Sequence, residues 1–420
     1  MLEHLNKNIS KSFEYLKNFN HIAIGVSGGA DSLALMLLVA DWSEKQNISP
    51  EITIYCVNHG LRKGASAECE LVVREAKKLG LEAYVLHWQG EKSKSALQEN
   101  ARNARYRLIG QAMKQNGAQI LLTAHHSFDQ METILMRMAN GSGMSGMVGM
   151  AKLSQIQGVE IYRPLLQISP DDLAKIVKQA NITPVFDPSN IDENYERVRW
   201  RKILPILFNL GLDASRFEKL SVRLNRADEA LNEITNILFD EKVTIDSFAV
   251  AKISKKDFLL QSKELQIRLL QKILRKIGSH KKPYALSQIE VLLNKISIGE
   301  VLKKQTLHGC VIEEKNKILI FAREVSKISK NTQMLDAGQE MIWDNRFIIK
   351  NKSKSQVFEI SSAIDLTKKD FLKLLAKLID SDDLTKASQM QAAPIAKNEN
   401  GEILMLGGFV FSDKIDSKIL

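Results

Sequence analysis

The first third of the chain alternates short apolar runs with longer stretches of helical spacing. The apolar runs predict strands at His21–Val26, Ile52–Val57, Glu82–Trp88 and Gln119–Thr123. The stretches that follow them predict helices at Ser32–Glu44, Ser66–Leu79, Ala96–Gln115 and Asp129–Met138. This alternation predicts a doubly wound α/β domain, with a mostly parallel sheet covered by helices on both faces. Ligands bind such sheets beyond the carboxyl ends of the strands, so the loops there are the first places to look for a site.

The rest of the chain has a different pattern and predicts two further domains. Residues 213–237 and 258–278 repeat apolar side chains at i, i+3 and i+4 with few helix breakers, which predicts a helical middle domain. We expect this domain to close with a hairpin within Leu307–Ala322, before a polar linker at 323–333. A helical run and a final apolar stretch then predict a small α+β unit. The expected domains are 1–210, 211–325 and 333–420.

Composition excludes several classes of protein. The chain has 420 residues, of which 44% are hydrophobic and 26% charged, so it can bury full cores and is not disordered. Its longest apolar run, Leu33–Ala40, is far shorter than the ~20 residues of a membrane helix, so we expect a cytoplasmic protein without membrane contact. The three cysteines lack the paired spacing of a disulfide framework or a zinc ribbon.

The net charge of +10 is concentrated in the middle of the chain. Lys and Arg outnumber Asp and Glu by eight within residues 211–330. A clustered basic surface attracts polyanions such as nucleic acids through counterion release. A solvated helix face explains the same excess equally well, so charge alone leaves both interpretations open.

The segment Ser27-Gly28-Gly29-Ala30-Asp31-Ser32 lies between the first predicted strand and helix. Its two glycines let the backbone turn tightly and bring N–H groups against phosphate oxygens, and the helix N-terminus adds its positive dipole end. The hydroxyls of Ser27 and Ser32 can donate hydrogen bonds, and Asp31 can hold a magnesium ion. The Gly-Lys-Ser/Thr of a Walker A loop is missing. For the motif by itself, a capped glycine turn without a ligand is the alternative.

Taken with its surroundings, this segment resembles the pyrophosphate-binding loop of the N-type ATP pyrophosphatases, which cleave ATP to AMP and pyrophosphate. Further motifs follow in order: Asn58-His59-Gly60-Leu61-Arg62, Glu99-Asn100-Ala101-Arg102, His125-His126-Ser127-Phe128-Asp129-Gln130, Gly141-Ser142-Gly143, Arg163-Pro164-Leu165-Leu166 and Asp187-Pro188-Ser189-Asn190. In this order and spacing they are similar to the tRNA(Ile)-lysidine synthetase family over about residues 20–210. The similarity continues more weakly through Thr306–Cys310 and the C-terminal unit.

The resemblance implies a specific reaction. That family joins the ε-amino group of free lysine to C2 of the wobble cytidine in an isoleucine tRNA with a CAU anticodon. ATP first adenylates the C2 oxygen, lysine then displaces AMP, and the modified tRNA reads AUA instead of AUG. The implied cofactors are ATP and Mg²⁺, and the implied partners are this tRNA and free L-lysine. A homodimer stays open, since helical second domains can serve as dimer interfaces.

The candidate catalytic residues are Asp31, Arg102, His126, Asp129 and Glu132. Asp31 and Asp129 are also the candidate metal ligands. The resemblance carries Asp129 and Glu132 over as an acidic pocket for the amines of lysine, and Arg102 is a cation for the developing charge. An ammonium group cannot attack, so a nearby carboxylate or His126 has to accept its proton.

The candidate ATP-binding residues are Ser27, Gly28, Gly29, Ala30, Asp31, Ser32 and Asn58. The candidate tRNA-binding residues are Arg105, Arg197, Arg199, Lys281 and Lys282. Several of these residues also have structural alternatives. His126 could cap or pack at the strand end, Arg102 and Arg105 could form a solvated salt-bridge face with Glu99, and Arg197, Arg199 and Arg201 could be a solvated strip near a domain boundary.

Two residues depart from the family pattern. Phe128 stands where the family has the first of two adjacent aspartates, which removes one potential ligand for magnesium or lysine, and Asn140 stands where arginine is common. Two other functions are therefore weighed. A tRNA 2-thiolation enzyme of the same superfamily would need sulfur-transfer or cluster cysteines, and the chain has no CxxC. A non-catalytic tRNA-binding protein with a decayed site would be expected to have lost the Ser27–Ser32 segment as well.

Overall fold

A computed structural model describes residues 9–46, 50–60, 64–89, 97–186, 191–279, 285–298, 301–329, 331–378 and 387–420. The chain divides into two compact units, Met1–Asp228 and Glu229–Leu420. The expected division into three domains stays a prediction.

The first unit is built on a six-stranded sheet. Its strands are β1 His21–Gly25, β2 Glu51–Asn58, β3 Glu82–His87, β4 Ile120–Leu122, β5 Leu153–Ile156 and β6 Val159–Tyr162. They lie in the order β3-β2-β1-β4-β6-β5, and neighbours are parallel except β5, which pairs antiparallel with β6. The predicted α/β fold with a mostly parallel sheet is therefore confirmed.

Helices cover both faces of this sheet. They are α1 Ala30–Glu44, α2 Ala65–Lys78, α3 Leu97–Asn116, α4 Ser127–Ala139, α5 Met144–Met147, α6 Pro170–Gln179, α7 Glu196–Asn209 and the start of α8 Ala214–Lys242. Alternate residues of a strand point to opposite faces. Accordingly, Ile22 and Ile24 of β1 pack in a core with α1, α2 and α6, while Ala23 packs on the other face with Tyr106 and Ile109 of α3.

The sheet topology brings two loops together. Strands β1 and β4 are parallel neighbours in the middle of the sheet, and the chain order reverses between them. Such a reversal opens a crevice at the carboxyl ends of the strands. The loop from β1 into α1 holds Ser27–Ser32, and the loop from β4 into α4 holds His125 and His126. Residues about 100 positions apart in sequence therefore share one edge of the sheet.

The second unit combines helices with antiparallel sheets. Its remaining helices are α9 Lys255–Leu259, α10 Lys263–Gly278, α11 Leu286–Ser297, α12 Lys368–Leu375 and α13 Ala387–Met390. Its strands are β7 Thr244–Ile245, β8 Ala251–Ser254, β9 Gln305–Leu307, β10 Cys310–Lys315, β11 Ile318–Arg323, β12 Gln333–Leu335, β13 Glu340–Trp343, β14 Phe347–Asn351, β15 Phe358–Ser362, β16 Pro394–Lys397, β17 Ile403–Leu406, β18 Phe409–Val410 and β19 Ile415–Ile419.

These strands form three sheets, in the orders β7-β8-β11-β10-β9, β12-β15-β16-β17-β18 and β13-β14-β19. The predicted hairpin corresponds to β10 and β11, which turn at Asn316 and Lys317. The first sheet packs against α10 and α11, so the segment expected to be mainly helical also contains a sheet. No helix in the described ranges has the length and apolar character that crossing a bilayer requires.

A buried ion network links two parts of the second unit. Arg323, at the end of β11, donates from Nη1 to the carbonyl oxygens of Gly278 (2.6 Å) and Gly309 (3.1 Å). Its Nε and Nη2 donate to the carboxylate of Asp344 at 2.9 and 3.0 Å, and Asp344 also accepts from Nε of Arg346 at 2.8 Å. The segment before residue 330 and the segment after it thus share one carboxylate between two guanidinium groups.

Candidate active site

The segment Ser27–Ser32 forms the turn from β1 into α1. Gly28 has a φ of +83°, in the left-handed region that favours glycine. The Ser32 hydroxyl accepts from the backbone N–H of Ser27 (3.1 Å) and donates to the carbonyl oxygen of Gly29 (3.0 Å). Because this uses its only proton, Ser27 is the donor in the 3.3 Å contact between the two hydroxyls. Ser32 therefore shapes the loop, and the Ser27 hydroxyl is the group that can turn towards a ligand.

Helix α4 begins with a capping box formed by His126 and Asp129. Nδ1 of His126 accepts from the backbone N–H groups of Phe128 (3.2 Å) and Asp129 (3.4 Å), and Asp129 Oδ2 accepts from the N–H of His126 (3.0 Å). Because Nδ1 is an acceptor, the proton of the neutral ring is on Nε2. That atom lies 3.6 Å from Asp31 Oδ2 and 3.5 Å from Asp129 Oδ2. The capping alternative for His126 is realised, together with contacts to two carboxylates.

The two carboxylates that meet at His126 fit a magnesium ion. The side chain of Asp31 is 42% exposed and that of Asp129 14% exposed, so a ligand can reach them. Burial raises the pKa of Asp31, while His126 lowers it and Asp129 raises it further. No group of three or more His, Cys, Asp or Glu side chains suited to a metal is found in the described part of the chain. Mg²⁺ is commonly held by one or two carboxylates together with substrate phosphates and water, and this pair matches that pattern.

Glu132 lies behind this pair and is fully buried. Its Oε1 accepts from Nε of Arg201 on α7 at 2.8 Å, and its Oε2 has no hydrogen-bond partner among the described residues. Burial raises the pKa of Glu132, although the guanidinium of Arg201 opposes this rise. The sequence offers Arg201 only as one of three alternate arginines that either bind phosphate or form a solvated strip. Its partner is 69 residues away along the chain, so no local pattern indicates the pair.

The three arginines in the first turns of α7, Arg197, Arg199 and Arg201, do not all lie on the same face of the helix. Arg197 and Arg201 are four residues apart and therefore lie on one side of the helix. Arg197 contributes to the electrostatic environment of Glu132, as Arg201 does. Arg199 instead donates from Nη1 to two carbonyl oxygens in the loop before α7, at 2.9 and 3.3 Å. The structure thus brings Arg197 and Arg201 to the carboxylates and engages Arg199 elsewhere.

His125, beside the capping histidine, has a different environment. Its Nδ1 lies 2.9 Å from Oγ1 of Thr123. Burial lowers the pKa of His125 to about 4; Asp129 opposes this shift, and three arginines add to it. The three are Arg163, Arg102 and Arg197. At neutral pH the ring is therefore uncharged, and it marks a place where guanidinium groups from three elements converge.

Arg163 is one of the three arginines around His125, and in the sequence it stands out only as part of the motif Arg163-Pro164-Leu165-Leu166. It follows β6 and is 3% exposed. Nη1 donates to the carbonyl oxygen of Ala151 and to Oγ of Ser154, both at 2.8 Å, while Nε has no hydrogen-bond partner among the described residues. A buried arginine with an unused donor beside the carboxylate cluster is a functional candidate that the order of motifs alone could not identify.

Arg102 and Arg105 of α3 are both exposed and have different partners. The guanidinium of Arg102 lies 5.4 Å from the ring centroid of Tyr106 and belongs to the cations around His125. Nη2 of Arg105 lies 3.4 Å from Nε2 of His59. Of these two candidates, only Arg102 has an electrostatic link to the central cluster.

Asn58, at the end of β2, uses its side chain to hold the surrounding backbone. Its Oδ1 accepts from the N–H of Gly60 at 2.8 Å, and its Nδ2 donates to Oγ of Ser66 on α2 at 3.2 Å. The residue is buried, with 8% of its surface exposed. Its position at a strand end agrees with a place beside the nucleotide, and its polar atoms connect that strand end to α2.

The glycine-rich segment after α4 is tied to that helix. Gln130 exchanges two hydrogen bonds with the backbone of Met150, at 3.0 and 2.7 Å. Nη1 of Arg137 donates to the carbonyl oxygens of Gly146 and Gly149, both at 2.8 Å. The helix that carries His126 and Asp129 at its start therefore also orders the segment that follows its end.

Phe128 gives the position of the missing aspartate a packing role. Its ring lies 5.2 Å, centroid to centroid, from that of Phe208 on α7. It packs against a cluster formed by Met131, Ile134, Leu135, Leu204 and Phe217. The phenylalanine that stands in place of the aspartate thus packs α4 against α7, the helix that carries Arg201.

The candidates Lys281 and Lys282, and the segment 187–190, lie outside the described residues.

Comparisons with known proteins show the family of this chain. A PP-loop domain family matches residues 1–207. A tRNA(Ile)-lysidine synthase from Wolbachia pipientis wMel is 34% identical over 348 residues, which cover 82% of this chain and 80% of that protein. One from Rhodopseudomonas palustris is 38% identical over 69% of this chain and 87% of that protein. One from Ruegeria pomeroyi is 30% identical over 90% of each. The chain therefore belongs to the tRNA(Ile)-lysidine synthase family.

Proposed function

We propose that this enzyme ligates free L-lysine to C2 of the wobble cytidine of tRNA(Ile) with a CAU anticodon, in the cytoplasm. The C2 oxygen attacks the α-phosphorus of ATP and releases pyrophosphate. The ε-amine of lysine then attacks C2, AMP leaves with the oxygen, and one proton is lost from the amine. The observation that carries the proposal is the meeting of Asp31, beside the phosphate loop, with Asp129 at one histidine.

The phosphate loop is suited to the pyrophosphate that leaves. The N-cap residue of α1 is a glycine and offers no side-chain acceptor, so the first N–H groups of α1 can serve phosphate oxygens. The Ser27 hydroxyl can exchange its contact with Ser32 for one with phosphate. The backbone of Gly28, Gly29 and Ala30 completes this cradle. Asp31 with Asp129 would hold Mg²⁺, which offsets phosphate charge.

The structure favours a carboxylate as the acceptor of the lysine proton. His126 cannot take a proton on Nε2, which already carries one while Nδ1 caps α4. Its role is to fix the start of α4 and to place an N–H between Asp31 and Asp129. Burial raises the pKa of Asp31 above the ordinary value of an aspartate, so this carboxylate suits proton transfer in the second step, when the lysine amine and not Mg²⁺ lies against it. Asp31 and Asp129 also supply the negative charge that an ammonium ligand needs.

The arginines around His125 are suited to the charge that develops during adenylation. Arg102 comes from α3 and Arg197 from α7, and both act electrostatically on the same ring. Cations that are already in place stabilise a transition state without reorganisation. Glu132 holds Arg201 at this edge instead of binding lysine directly, since one of its oxygens is occupied by that guanidinium.

The reaction is tested by the incorporation of labelled lysine into an unmodified tRNA(Ile) transcript with a CAU anticodon, with ATP and Mg²⁺. Elongator methionine tRNA is the control substrate, and AMP release is followed in parallel. Asp31→Asn should abolish the label, while Asp41→Asn on the same helix, whose exposed carboxylate only pairs with Lys45, should keep it. Equal labelling by both variants would refute the role of Asp31.

The same assay separates the other functions. Tight tRNA binding without labelled product from the unaltered enzyme would indicate a decayed site. ATP-to-AMP turnover on another RNA without lysine incorporation would indicate the thiolation branch. A homodimer is tested by the mass of the enzyme in solution.

Binding of tRNA by the basic middle region is a separate part of the proposal. Lys281→Glu with Lys282→Glu should weaken binding and lower the salt slope by about 0.9 per lost phosphate contact. The matched control reverses Lys17 and Lys45, exposed lysines of the first unit that pair with Glu14 and Asp41. Equal affinities for the two double variants would mean that the middle lysines form a solvated face.

A further inference from the structure

Two of the three cysteines face each other between β2 and α2. The Sγ atoms of Cys56 and Cys69 are 2.8 Å apart, about 0.8 Å more than the ~2.05 Å of a disulfide bond. Both thiols are free, and each residue is 3% exposed. We propose that Cys56 and Cys69 close into a reversible disulfide, and that closure changes the affinity of the phosphate loop for ATP. The ATP part rests on the function proposed above.

A cavity gives an oxidant access to one of the two sulfur atoms. Cys69 lines a cavity of about 470 Å³ between α2 and β3, together with Ser66, Val73, Lys77, Val85 and His87. A molecule as small as hydrogen peroxide fits this space. Cys56 is not among the residues that line this cavity. The arrangement therefore has one cysteine that borders a cavity and a second thiol in contact with it.

The electrostatics assign the order of attack. The hydrogen bond from Cys56 lowers the pKa of Cys69, although burial opposes this shift. The hydrogen bond and burial together raise the pKa of Cys56, which keeps its proton. The thiolate is the nucleophile in sulfur chemistry. Cys69 is therefore the thiol that reacts first, and Cys56 is the resolving thiol.

The chemistry balances with a peroxide as the oxidant. The Cys69 thiolate attacks one peroxide oxygen, the O–O bond breaks, and the products are a sulfenic acid and hydroxide, which becomes water by taking up the proton that Cys69 released on ionisation. The sulfur of Cys56 then attacks the sulfenic sulfur, the S–O bond breaks, and a second water leaves with the Cys56 proton. Two electrons pass from the thiols to the peroxide. A dithiol reductant reverses the change through thiol–disulfide exchange.

Helix α2 is the connection from this pair to the phosphate loop. The position of a Cβ on Gly28 would lie 3.5 Å from the carbonyl oxygen of Glu68 and 3.7 Å from Cγ2 of Val72. The backbone beside Cys69 thus packs directly on the loop. Ser66, one turn earlier, accepts the hydrogen bond of Asn58 at the end of β2. Shortening the sulfur–sulfur distance pulls α2 towards β2, and the phosphate loop, which packs on Glu68 and Val72 of α2, has to adjust.

The crosslink is tested by peptide mapping of the full chain after treatment with hydrogen peroxide and then an alkylating agent. The expected product joins the peptides of Cys56 and Cys69, is lighter by two hydrogen atoms, and disappears on reduction. Cys56→Ser should stop at a sulfenic acid on Cys69, which dimedone traps, and Cys69→Ser should give neither product. Cys310→Ser is the matched control, because burial raises the pKa of Cys310 to about 12 and its Sγ donates to the carbonyl oxygen of Leu274 at 3.8 Å. Absence of the crosslink in the unaltered chain would overturn the proposal.

The effect on the loop is measured by direct ATP titration of the reduced and oxidised forms. We expect about a fivefold difference in Kd, the lower end of coupling between two sites, and its loss in Cys56→Ser. Since coupling is reciprocal, saturating ATP should also change the yield of the crosslink at equilibrium with a dithiol buffer. A crosslink that leaves the Kd unchanged would overturn the coupling. A form that binds ATP but does not label tRNA would count against the proposed function and leave the redox result intact.

Discussion

Replacing Arg201 tests whether the buried Glu132 is held in its ionised form by one partner. Glu132 is fully buried, and its Oε1 accepts from Arg201 Nε at 2.8 Å. Arg201→Ala leaves this carboxylate without its hydrogen-bonded cation and with only the more distant influence of Arg197, and its second oxygen already has no hydrogen-bond partner among the described residues. The variant therefore has to keep an uncompensated charge in the protein interior or protonate Glu132.

The size of the effect follows from burial. Breaking a buried ion pair by removing one partner costs about 3–5 kcal/mol. The Arg201 side chain is 43% exposed, so solvent already screens part of the interaction and we expect about 2 kcal/mol at pH 8. In a unit of this size, that loss lowers the Tm by about 4–8 °C.

The loss should depend on pH with a definite sign. Burial raises the pKa of Glu132, and Arg201 opposes this rise more than Arg197 does, so the variant raises the pKa further. The unfolded chain releases the glutamate proton at its ordinary pKa of about 4.3. As pH rises above that value, the unfolded state holds fewer protons than the folded variant, and the folded variant loses stability. The loss of folding stability in Arg201→Ala, relative to the unaltered chain, should be small near pH 5 and largest at pH 8.

Thermal unfolding at the two pH values is the measurement. Arg199→Ala is the control, since Arg199 is exposed, lies on the same helix and bonds only to backbone carbonyls. Arg201→Ala combined with Glu132→Gln should recover most of the loss, because no charge is then left buried. A deficit that is equal at pH 5 and pH 8, or that the second substitution does not relieve, would refute this account of the pair.

Three further substitutions separate structure from catalysis. In Gly28→Ala the left-handed φ costs about 1–2 kcal/mol, and the new Cβ lies 3.3 Å from a valine methyl, so ATP titration should show weaker binding. The control is Gly80→Ala, where φ is +68° and no atom lies within 4 Å of the new Cβ. Equal ATP binding by the two variants would contradict this expectation. His126→Ala should lose about 1 kcal/mol of stability, because it removes the N-cap of α4. His126→Asn should restore the Tm without restoring lysine ligation. Full ligation activity in His126→Asn would disprove the role of His126 in placing an N–H between Asp31 and Asp129. Phe128→Asp should destabilise the first unit by about 2 kcal/mol, because the ring contact with Phe208 is lost. It should not make lysine ligation faster. Faster ligation would mean that an aspartate at this position contributes to catalysis.

The central strands β1, β2 and β4 could be predicted because they are buried on both faces and give continuous apolar runs. Strand β5 is only half covered, and its sequence Leu-Ser-Gln-Ile gives no such run, so the β5–β6 hairpin was missed. The α+β character of the C-terminal part could be predicted and is confirmed, but apart from the hairpin of β10 and β11 the individual strands of the second unit could not be placed, because many of them have only two to five residues. Helical spacing over 263–278 is strong enough to predict a helix and says nothing of the sheet beneath it.

The site could be predicted as far as its loops. The phosphate segment and His126 follow strands, and topology alone brings strand ends together. Partners such as Arg201 and Glu132 could not be paired, because contacts between helices depend on packing that sequence spacing does not contain. The arginines of α7 show the same limit: once the helix is known to begin at Glu196, the shared face of Arg197 and Arg201 follows, but without that boundary they are only alternate basic residues.

The carboxylate shared by Arg323 and Arg346 has a consequence for how this family can change length. Asp344 compensates the charge of Arg323, which belongs to the segment before residue 330. Loss of the C-terminal sheets during evolution would therefore destabilise the segment that remains. A descendant that lost residues after 330 would keep Arg323 buried among carbonyl oxygens without its acid. We therefore expect Arg323 and Asp344 to be inherited or replaced as a pair.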